Sequence, residues 1–276
     1  MTVLEILKLA SDHFQKRGSD SARLDAEVLL AHLLGLRRLD LYLKFDRPLS
    51  EPEVGRYREL VAKRANGEPV AYLVGHKEFM GLEFMVTPAV LIPNPDTEVL
   101  VQRAVELARE AGRPFRVADV GTGSGCIAIA IAHYAPNVEV VASDVSEEAL
   151  EVAARNVAAH ALGDRVHLVC GDLMAPLTGG FDLVCANLPY VAADAALAPQ
   201  VVAQPARALY AEREGSALVT RLLEETPARL TAGGRVLAEL DPSITSLAVN
   251  VANRNFAGHR IHRDLGGHER VIEAWS

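Results

Sequence analysis

Val117-Ala118-Asp119-Val120-Gly121-Thr122-Gly123-Ser124-Gly125-Cys126-Ile127-Ala128-Ile129-Ala130-Ile131-Ala132 is the stretch that decides the fold of this chain. A short apolar strand runs into a turn with three glycines, and the start of an alanine- and isoleucine-rich helix follows. Glycine lets backbone approach a ligand closely because no Cβ stands in the way. The spacing Gly-x-Gly-x-Gly is tighter than the Gly-x-Gly-x-x-Gly of dinucleotide-binding folds. The next apolar run, 139–143, ends at Asp144, where a carboxylate can take two ribose hydroxyls. A small nucleoside lying across two strand ends is the expected ligand.

Working outward, strands and helices alternate from residue 116 onward, with strands expected at 116–120, 139–143, 165–169, 181–186 and 235–240. Alternation predicts an α/β fold with a doubly wound, mostly parallel sheet. Two more strands, near 259–263 and 270–274, are joined only by Asp264-Leu265-Gly266-Gly267-His268-Glu269. That link is too short for a crossover helix, so these two must pair antiparallel, which makes seven strands. Ligands of such sheets bind at the carboxyl strand ends near the reversal of strand order, where Gly121, Asp144, Asp172 and Asn187 fall.

Strand 181–186 runs straight into Asn187-Leu188-Pro189-Tyr190. This puts a side-chain amide oxygen, a backbone carbonyl at 188 held extended by the following proline, and an aromatic face in one place. Such a site suits a planar NH2 group. Two acceptors take both hydrogens while the ring packs on the plane, and the nitrogen is left facing an electrophilic methyl. A proline turn capped by asparagine at a strand end is the plainer alternative. The expected chemistry is methyl transfer, with Asn187, Leu188, Pro189 and Tyr190 as the catalytic set.

Half of the 276 residues are apolar, enough for one sizeable core and a smaller second unit. The net charge of −8 gives no global field to recruit nucleic acid or an anionic membrane. Residues 1–75 carry 12 basic and 11 acidic side chains, so neither part is a basic arm. Cys126, Cys170 and Cys185 all lie in apolar runs, without short metal-ligand spacing, and are expected to be buried, reduced thiols of a cytoplasmic protein. No metal site is expected. Residues 1–10 carry no basic n-region and apolar core, and no run reaches the roughly 18 apolar residues of a membrane span.

The apolar residues Val3, Ile6, Leu7, Ala10 and Phe14 recur at helical spacing. Further helices are expected at 24–36, capped by Asp20 or Ser21 and ended by Gly35, at 39–45, and from the Ser50/Glu53 capping box to about residue 64. Residues 1–68 are thus expected as a helical bundle, and 69–89, apolar-alternating around Gly81, as a β-hairpin connector. The main domain is expected at 90–276, its first helix at 99–110 capped by Asp96 or Thr97.

Taken as an ordered set, Phe79-Met80-Gly81-Leu82-Glu83-Phe84, the run from Thr87 through Leu91-Ile92-Pro93-Asn94-Pro95-Asp96-Thr97-Glu98, the glycine turn, Asn187-Leu188-Pro189-Tyr190, Gln204-Pro205-Ala206-Arg207-Ala208-Leu209 and the 264–270 loop resemble one family. The chain is similar to the peptide chain release factor glutamine N5-methyltransferases over nearly its whole length. The resemblance implies S-adenosylmethionine as donor and, as acceptor, the glutamine of a Gly-Gly-Gln tripeptide in bacterial class 1 release factors. It implies that Gly121, Thr122, Gly123, Ser124 and Gly125 hold the methionine end of the cofactor, Asp144 the ribose, and Asp172 with Leu173 the adenine. Asn187 then serves both donor and acceptor, and with Leu188, Pro189 and Tyr190 holds the glutamine side chain. The bundle would help seat the release factor, and the enzyme is expected as a monomer that does not bind nucleic acid directly.

Four departures from the family pattern stand out. Asn94 replaces an arginine, Leu188 the first proline of Asn-Pro-Pro-Tyr, and Gln204 a glutamate, while Glu239-Leu240-Asp241-Pro242 replaces Glu-Ile-Gly with a downstream Gln. A leucine still offers the backbone carbonyl, so slower or looser chemistry is expected, not none. The alternatives are a glutamine methyltransferase for a ribosomal protein, an adenine N6-methyltransferase on nucleic acid, and a cofactor-binding protein that has lost turnover.

Overall fold

A computed structural model describes residues 1–191, 197–212 and 215–276. They fall into two units, Met1–His76 with Leu197–Ala203, and Lys77–Ala196 with Gln204–Ser276. The first is a bundle of α1 (Val3–Lys16), α2 (Ala22–Leu34), α3 (Arg38–Leu43), α4 (Glu51–Ala65) and α5 (Val70–Val74). The expected capping box opens α4, where Ser50 N–H donates to Glu53 Oε2 at 2.8 Å. Val3, Ile6, Ala10 and Phe14 form the buried stripe of α1, and the Tyr57 hydroxyl donates to the Ala26 carbonyl at 2.9 Å within the same core. Gly35 ends α2 in the left-handed conformation as expected, but Ser21 does not cap it; its hydroxyl donates to Asp25 Oδ1 at 2.8 Å instead.

Residues 70–74, expected as part of the connector, form α5, which Pro69 precedes and the left-handed Gly75 terminates. The hairpin itself is shorter, β1 (His76–Phe79) and β2 (Leu82–Met85), turning through Met80 and Gly81 at φ 53° and 71°. Two positive φ values in a two-residue loop match the right-handed twist of the flanking strands.

The second unit continues with α6 (Glu98–Ala111), β3 (Phe115–Val120), α7 (Cys126–Tyr134), β4 (Val138–Asp144), α8 (Glu147–Ala159), β5 (Val166–Cys170) and β6 (Phe181–Ala186). The short α9 (Pro199–Val202) belongs to the first unit, where Arg64 Nη2 donates to Gln200 Oε1 at 2.6 Å. Back in the second unit come α10 (Ala206–Leu209), α11 (Ala217–Glu225), β7 (Leu230–Glu239), α12 (Thr245–Asn255), β8 (Gly258–Arg263) and β9 (Glu269–Trp275).

The seven strands lie in the order β5-β4-β3-β6-β7-β9-β8, parallel except for antiparallel β9. The sheet buries both faces. On β6, Leu183 and Cys185 join the core that includes α6 and α7, whereas Phe181, Val184 and Ala186 join the one that includes α11 and α12. Burial on both sides explains why these strands read as continuous apolar runs. The chain order reverses between β3 and β6, which opens a crevice at their carboxyl ends.

Glu273 on β9 is 1% exposed and gathers Arg103 Nε at 3.0 Å, His262 Nε2 at 2.7 Å and the Arg235 guanidinium. Burial alone would raise its carboxyl; the hydrogen bonds from His262, Arg103 and Arg235 outweigh burial and hold it far below the usual carboxylate range. Removing one partner of such a cluster strands the other charges. Glu273→Ala is therefore expected to cost about 3–5 kcal/mol of stability, read as the midpoint of urea unfolding.

Candidate active site

The switch-point crevice is a cavity of about 570 Å³ built wholly from the second unit, within the size range of small-molecule sites. Of the residues expected there, Gly121, Thr122, Gly123, Ser124, Asp144, Asp172, Leu173, Asn187, Leu188 and Pro189 line it. Gly125 and Tyr190 are not among its lining residues. Gly125 is the left-handed N-cap of α7, where a Cβ would stand 3.1 Å from Ile129 Cδ1, so it serves packing.

The turn between β3 and α7 is braced from within. Gly121 and Thr122 N–H groups donate to the Ser143 carbonyl at 2.8 and 2.9 Å, and Gly125 N–H to the Thr122 carbonyl at 2.8 Å. Asp119, fully buried, accepts from Thr122 Oγ1 at 2.6 Å and Ala128 N–H at 3.2 Å, and burial pushes its carboxyl up to about 7 despite these bonds. Asp144 Oδ2 takes Gly123 N–H at 2.9 Å and Oδ1 takes Ser146 N–H at 2.9 Å. Each oxygen keeps a second lone pair for a diol. Three turn donors are thus spent on the sheet and one on the turn itself, which makes this a close-approach surface and not an anion nest.

A nucleoside with an amino-acid tail fits these features. At Gly123, φ 54°, an added Cβ would meet nothing within 4 Å, so the backbone is open to a ligand there. Asp144 offers a cavity-lining carboxylate that could take a diol. Asp144→Ala is expected to raise the Kd for S-adenosylmethionine about 10²-fold in calorimetric titration, since charge-assisted hydrogen bonds contribute ~1.5–3 kcal/mol each. Asp172 lines the cavity while its Oδ2 accepts from Arg221 Nη2 at 2.8 Å, and Leu173 is buried with φ 45°.

The acceptor half faces that turn. A Cβ on Gly121 would stand 2.9 Å from Leu188 Cδ2, so the leucine side chain sits directly on the glycine backbone. Asn187 Nδ2 donates to Thr97 Oγ1 at 3.0 Å, which leaves its Oδ1 as the free end of the amide. The Tyr190 hydroxyl donates to Glu239 Oε1 at 3.2 Å. Burial pushes the Glu239 carboxyl up to about 7 despite the hydrogen bond from Tyr190.

Several residues have different positions from those the sequence suggested. Asn94, not Asp96 or Thr97, caps the segment before α6; its Oδ1 accepts from Asp96 N–H at 3.2 Å and opens a 3₁₀ turn, Pro95–Thr97. Thr97 is 2% exposed and belongs to the site through Asn187, a role no local signal announces. Gln204 Oε1 accepts from Ile92 N–H at 3.0 Å, so it ties the 88–94 loop as a glutamate could. Arg207 lines the cavity and is its sole Lys or Arg among the described residues, facing a wall that includes Asp144, Glu147, Glu148 and Asp172. Of the three thiols only Cys185 is fully buried; Cys170, expected buried, is exposed because β5 is an edge strand.

A sheet of this order, with a glycine turn and a carboxylate open to a diol across the crevice from Asn-Leu-Pro-Tyr, defines an S-adenosylmethionine-dependent methyltransferase. A family model for the PrmC N-terminal domain matches residues 5–75, and one for the methyltransferase small domain matches residues 95–215. A release factor glutamine methyltransferase of Rhodopirellula baltica is 41% identical over 98% of this chain and 95% of its own length. One of Geobacter sulfurreducens is 38% identical over the same shares, 98% and 95%. In fold, a 16S rRNA methyltransferase of T. thermophilus solved with AdoMet and guanosine is similar at a TM-score of 0.53 and 19% identity, over 73% of this chain and 49% of that one. The chain belongs to the release factor glutamine methyltransferase family.

Proposed function

We propose that this enzyme transfers a methyl group from S-adenosylmethionine to the side-chain nitrogen of the glutamine in the Gly-Gly-Gln motif of a class 1 release factor. The observation that carries the reading is the contact of Leu188 with Gly121, which sets the NH2-accepting motif against the cofactor turn in one cavity. Bound S-adenosylmethionine supplies an electrophilic methyl on a sulfonium. An amide nitrogen is a poor nucleophile because its lone pair is delocalised into the carbonyl. Asn187 Oδ1 and the Leu188 carbonyl accept its two hydrogens, hold it in line, and stabilise the positive charge that develops on nitrogen. The methylated cation is acidic and releases its proton to water, so no side-chain base is needed.

In this reading Gly121, Thr122, Gly123, Ser124 and Gly125 form and brace the methionine end, Asp144 holds the ribose, and Asp172 with Leu173 borders the adenine. Tyr190, which does not itself line the cavity, anchors the end of the acceptor motif through Glu239. The N-terminal bundle serves as a seat for the release factor; its exposed Leu39, Tyr42, Leu43 and Phe45 supply apolar surface for a protein partner. Net charge −8 favours a protein acceptor over nucleic acid, and among the described residues no helix is long and apolar enough to cross a membrane. The enzyme is taken to act as a cytoplasmic monomer.

The test is transfer of labelled methyl to purified release factor, beside the same factor with its Gly-Gly-Gln glutamine changed to alanine. Label on the first alone is the expected result. Equal label on both would place the methyl elsewhere, and label on neither, with the cofactor bound, would overturn the assignment.

A further inference from the structure

S-adenosylmethionine is chemically different at its two ends. The nucleoside end offers two hydroxyls and an exocyclic amine as hydrogen-bond donors, while the amino-acid end carries a carboxylate that needs donors or a cation once it leaves water. The cavity is polarised in the same sense. Asp144 ends β4, Glu147 and Glu148 open α8 directly after it, and Asp172 follows β5. The four lining carboxylates among the described residues thus stand on the β4–β5 side of the glycine turn. Arg207, the sole lining Lys or Arg among the described residues, comes from α10.

Two sets of bonds place α10 on the opposite side, next to β6. Before the helix, Gln204 Oε1 accepts from Ile92 N–H at 3.0 Å and ties it to the 88–94 loop. At its end, Val191 N–H donates to the Leu209 carbonyl at 2.9 Å and Ala211 N–H to the Val191 carbonyl at 3.0 Å, which pairs it with the chain leaving Asn-Leu-Pro-Tyr. In the sheet, β6 lies beyond β3 from β4. Arg207 therefore belongs to the acceptor end of the cavity. The sulfonium joins the methyl to the amino-acid chain of the donor, so that chain has to lie at this end as well.

The glycine turn has little left with which to hold a carboxylate. The N–H groups of Gly121 and Thr122 go to the Ser143 carbonyl, that of Gly123 to Asp144 and that of Gly125 to the Thr122 carbonyl. The Thr122 hydroxyl goes to Asp119 at 2.6 Å. Asn94 accepts Asp96 N–H on its Oδ1 and so offers only a neutral NH2. Arg207, in contrast, is exposed and makes no ion pair or hydrogen bond among the described residues, although four carboxylates line the same cavity. A guanidinium that pairs with none of them is available to an incoming anion, and its planar fork matches a carboxylate.

We propose that Arg207 binds the carboxylate of the amino-acid tail of S-adenosylmethionine and so fixes the methyl-bearing end of the donor against the acceptor motif. The proposal rests on the donor and not on the identity of the acceptor, so binding tests it whether or not a release factor is labelled.

The experiment is calorimetric titration of the full chain with S-adenosylmethionine and with its decarboxylated analogue, which keeps the nucleoside, the sulfonium and the amine. Wild type is expected to bind the analogue roughly 10- to 100-fold more weakly, the effect of losing a charge-assisted pair. Arg207→Ala is expected to lose that preference, its Kd for S-adenosylmethionine rising by the same factor while its Kd for the analogue stays at the wild-type value. Arg207→Lys keeps the charge without the fork and is expected to fall between them. The side chain is exposed and bonded to nothing else among the described residues, so the alanine variant should fold as wild type. Equal affinity of wild type for the two ligands overturns the proposal. So does a preference that survives in Arg207→Ala, which would leave the carboxylate to backbone N–H groups at the start of α7, and so does an equal loss for both ligands, which marks a structural arginine. A raised KM for release factor with an unchanged Kd for S-adenosylmethionine would also overturn it and make Arg207 a contact of the acceptor.

Discussion

Asn187→Ala is expected to lower kcat for methyl transfer about 10³-fold while the Kd for S-adenosylmethionine stays near the wild-type value. The reasoning is differential. In the function proposed above, the Asn187 amide oxygen serves the acceptor's NH2, whose hydrogens become more acidic as the nitrogen takes on charge, so its bond strengthens on the way to the transition state. The cofactor half of the cavity stands on other groups. Asp144 is fixed by Gly123 and Ser146 N–H groups at 2.9 Å each, and the turn is braced through Ser143 and Asp119, none of which the substitution touches. Single-turnover transfer and calorimetric titration on the same preparation check both halves. Wild-type turnover in the alanine variant would remove Asn187 from the chemistry. A parallel loss of cofactor affinity would make it a donor-site residue instead.

Much of this architecture was legible in the sequence because it rests on local patterns. β3 and β6 are buried on both faces, so they announce themselves as apolar runs, and the short 264–269 link forces β8 and β9 antiparallel whatever else is true. Gly121 and Asp144 were legible as well, since each sits at the end of a strand. Local pattern fails where a short apolar run suits two structures. Val70-Ala71-Tyr72-Leu73-Val74 is such a run, and Pro69 and Gly75 at its ends, not its periodicity, mark it as a helix. Alternation could have flagged Cys170, because an edge strand shows one side to solvent. The network behind the acceptor motif was out of reach for a different reason. Asn187 meets Thr97 across 90 residues and Tyr190 meets Glu239 across 49, so no window along the chain contains either pair. Asn94, a departure when read as a missing charge, makes sense as the cap of the 3₁₀ turn that sets Thr97 in place.

Gly215→Ala is expected to lower kcat/KM roughly 10²- to 10³-fold although Gly215 lies in no motif and is 25 residues from Tyr190 in sequence. The glycine has φ 87°, a conformation that strains any side chain. More decisively, a Cβ there would stand 1.9 Å from the Tyr190 carbonyl oxygen and 2.7 Å from its carbon. Both atoms are backbone, so no rotamer change relieves the overlap, and relief requires the chain at 190 to move by an ångström or more. That movement works against the Tyr190–Glu239 bond at 3.2 Å and the Val191 N–H to Leu209 carbonyl bond at 2.9 Å, which together hold the end of the acceptor motif. A displacement of about 1 Å in a positioned group costs on the order of 10²-fold in rate, because it is alignment that a poor nucleophile most lacks. The glycine turn and Asp144 lie on the other side of the cavity, so S-adenosylmethionine should bind as in wild type. Steady-state kinetics on release factor, with cofactor titration alongside, separates these effects. If Gly215→Ala turns over normally, Tyr190 is not held by its backbone, and the placement of the acceptor rests on Asn187 and Leu188 alone.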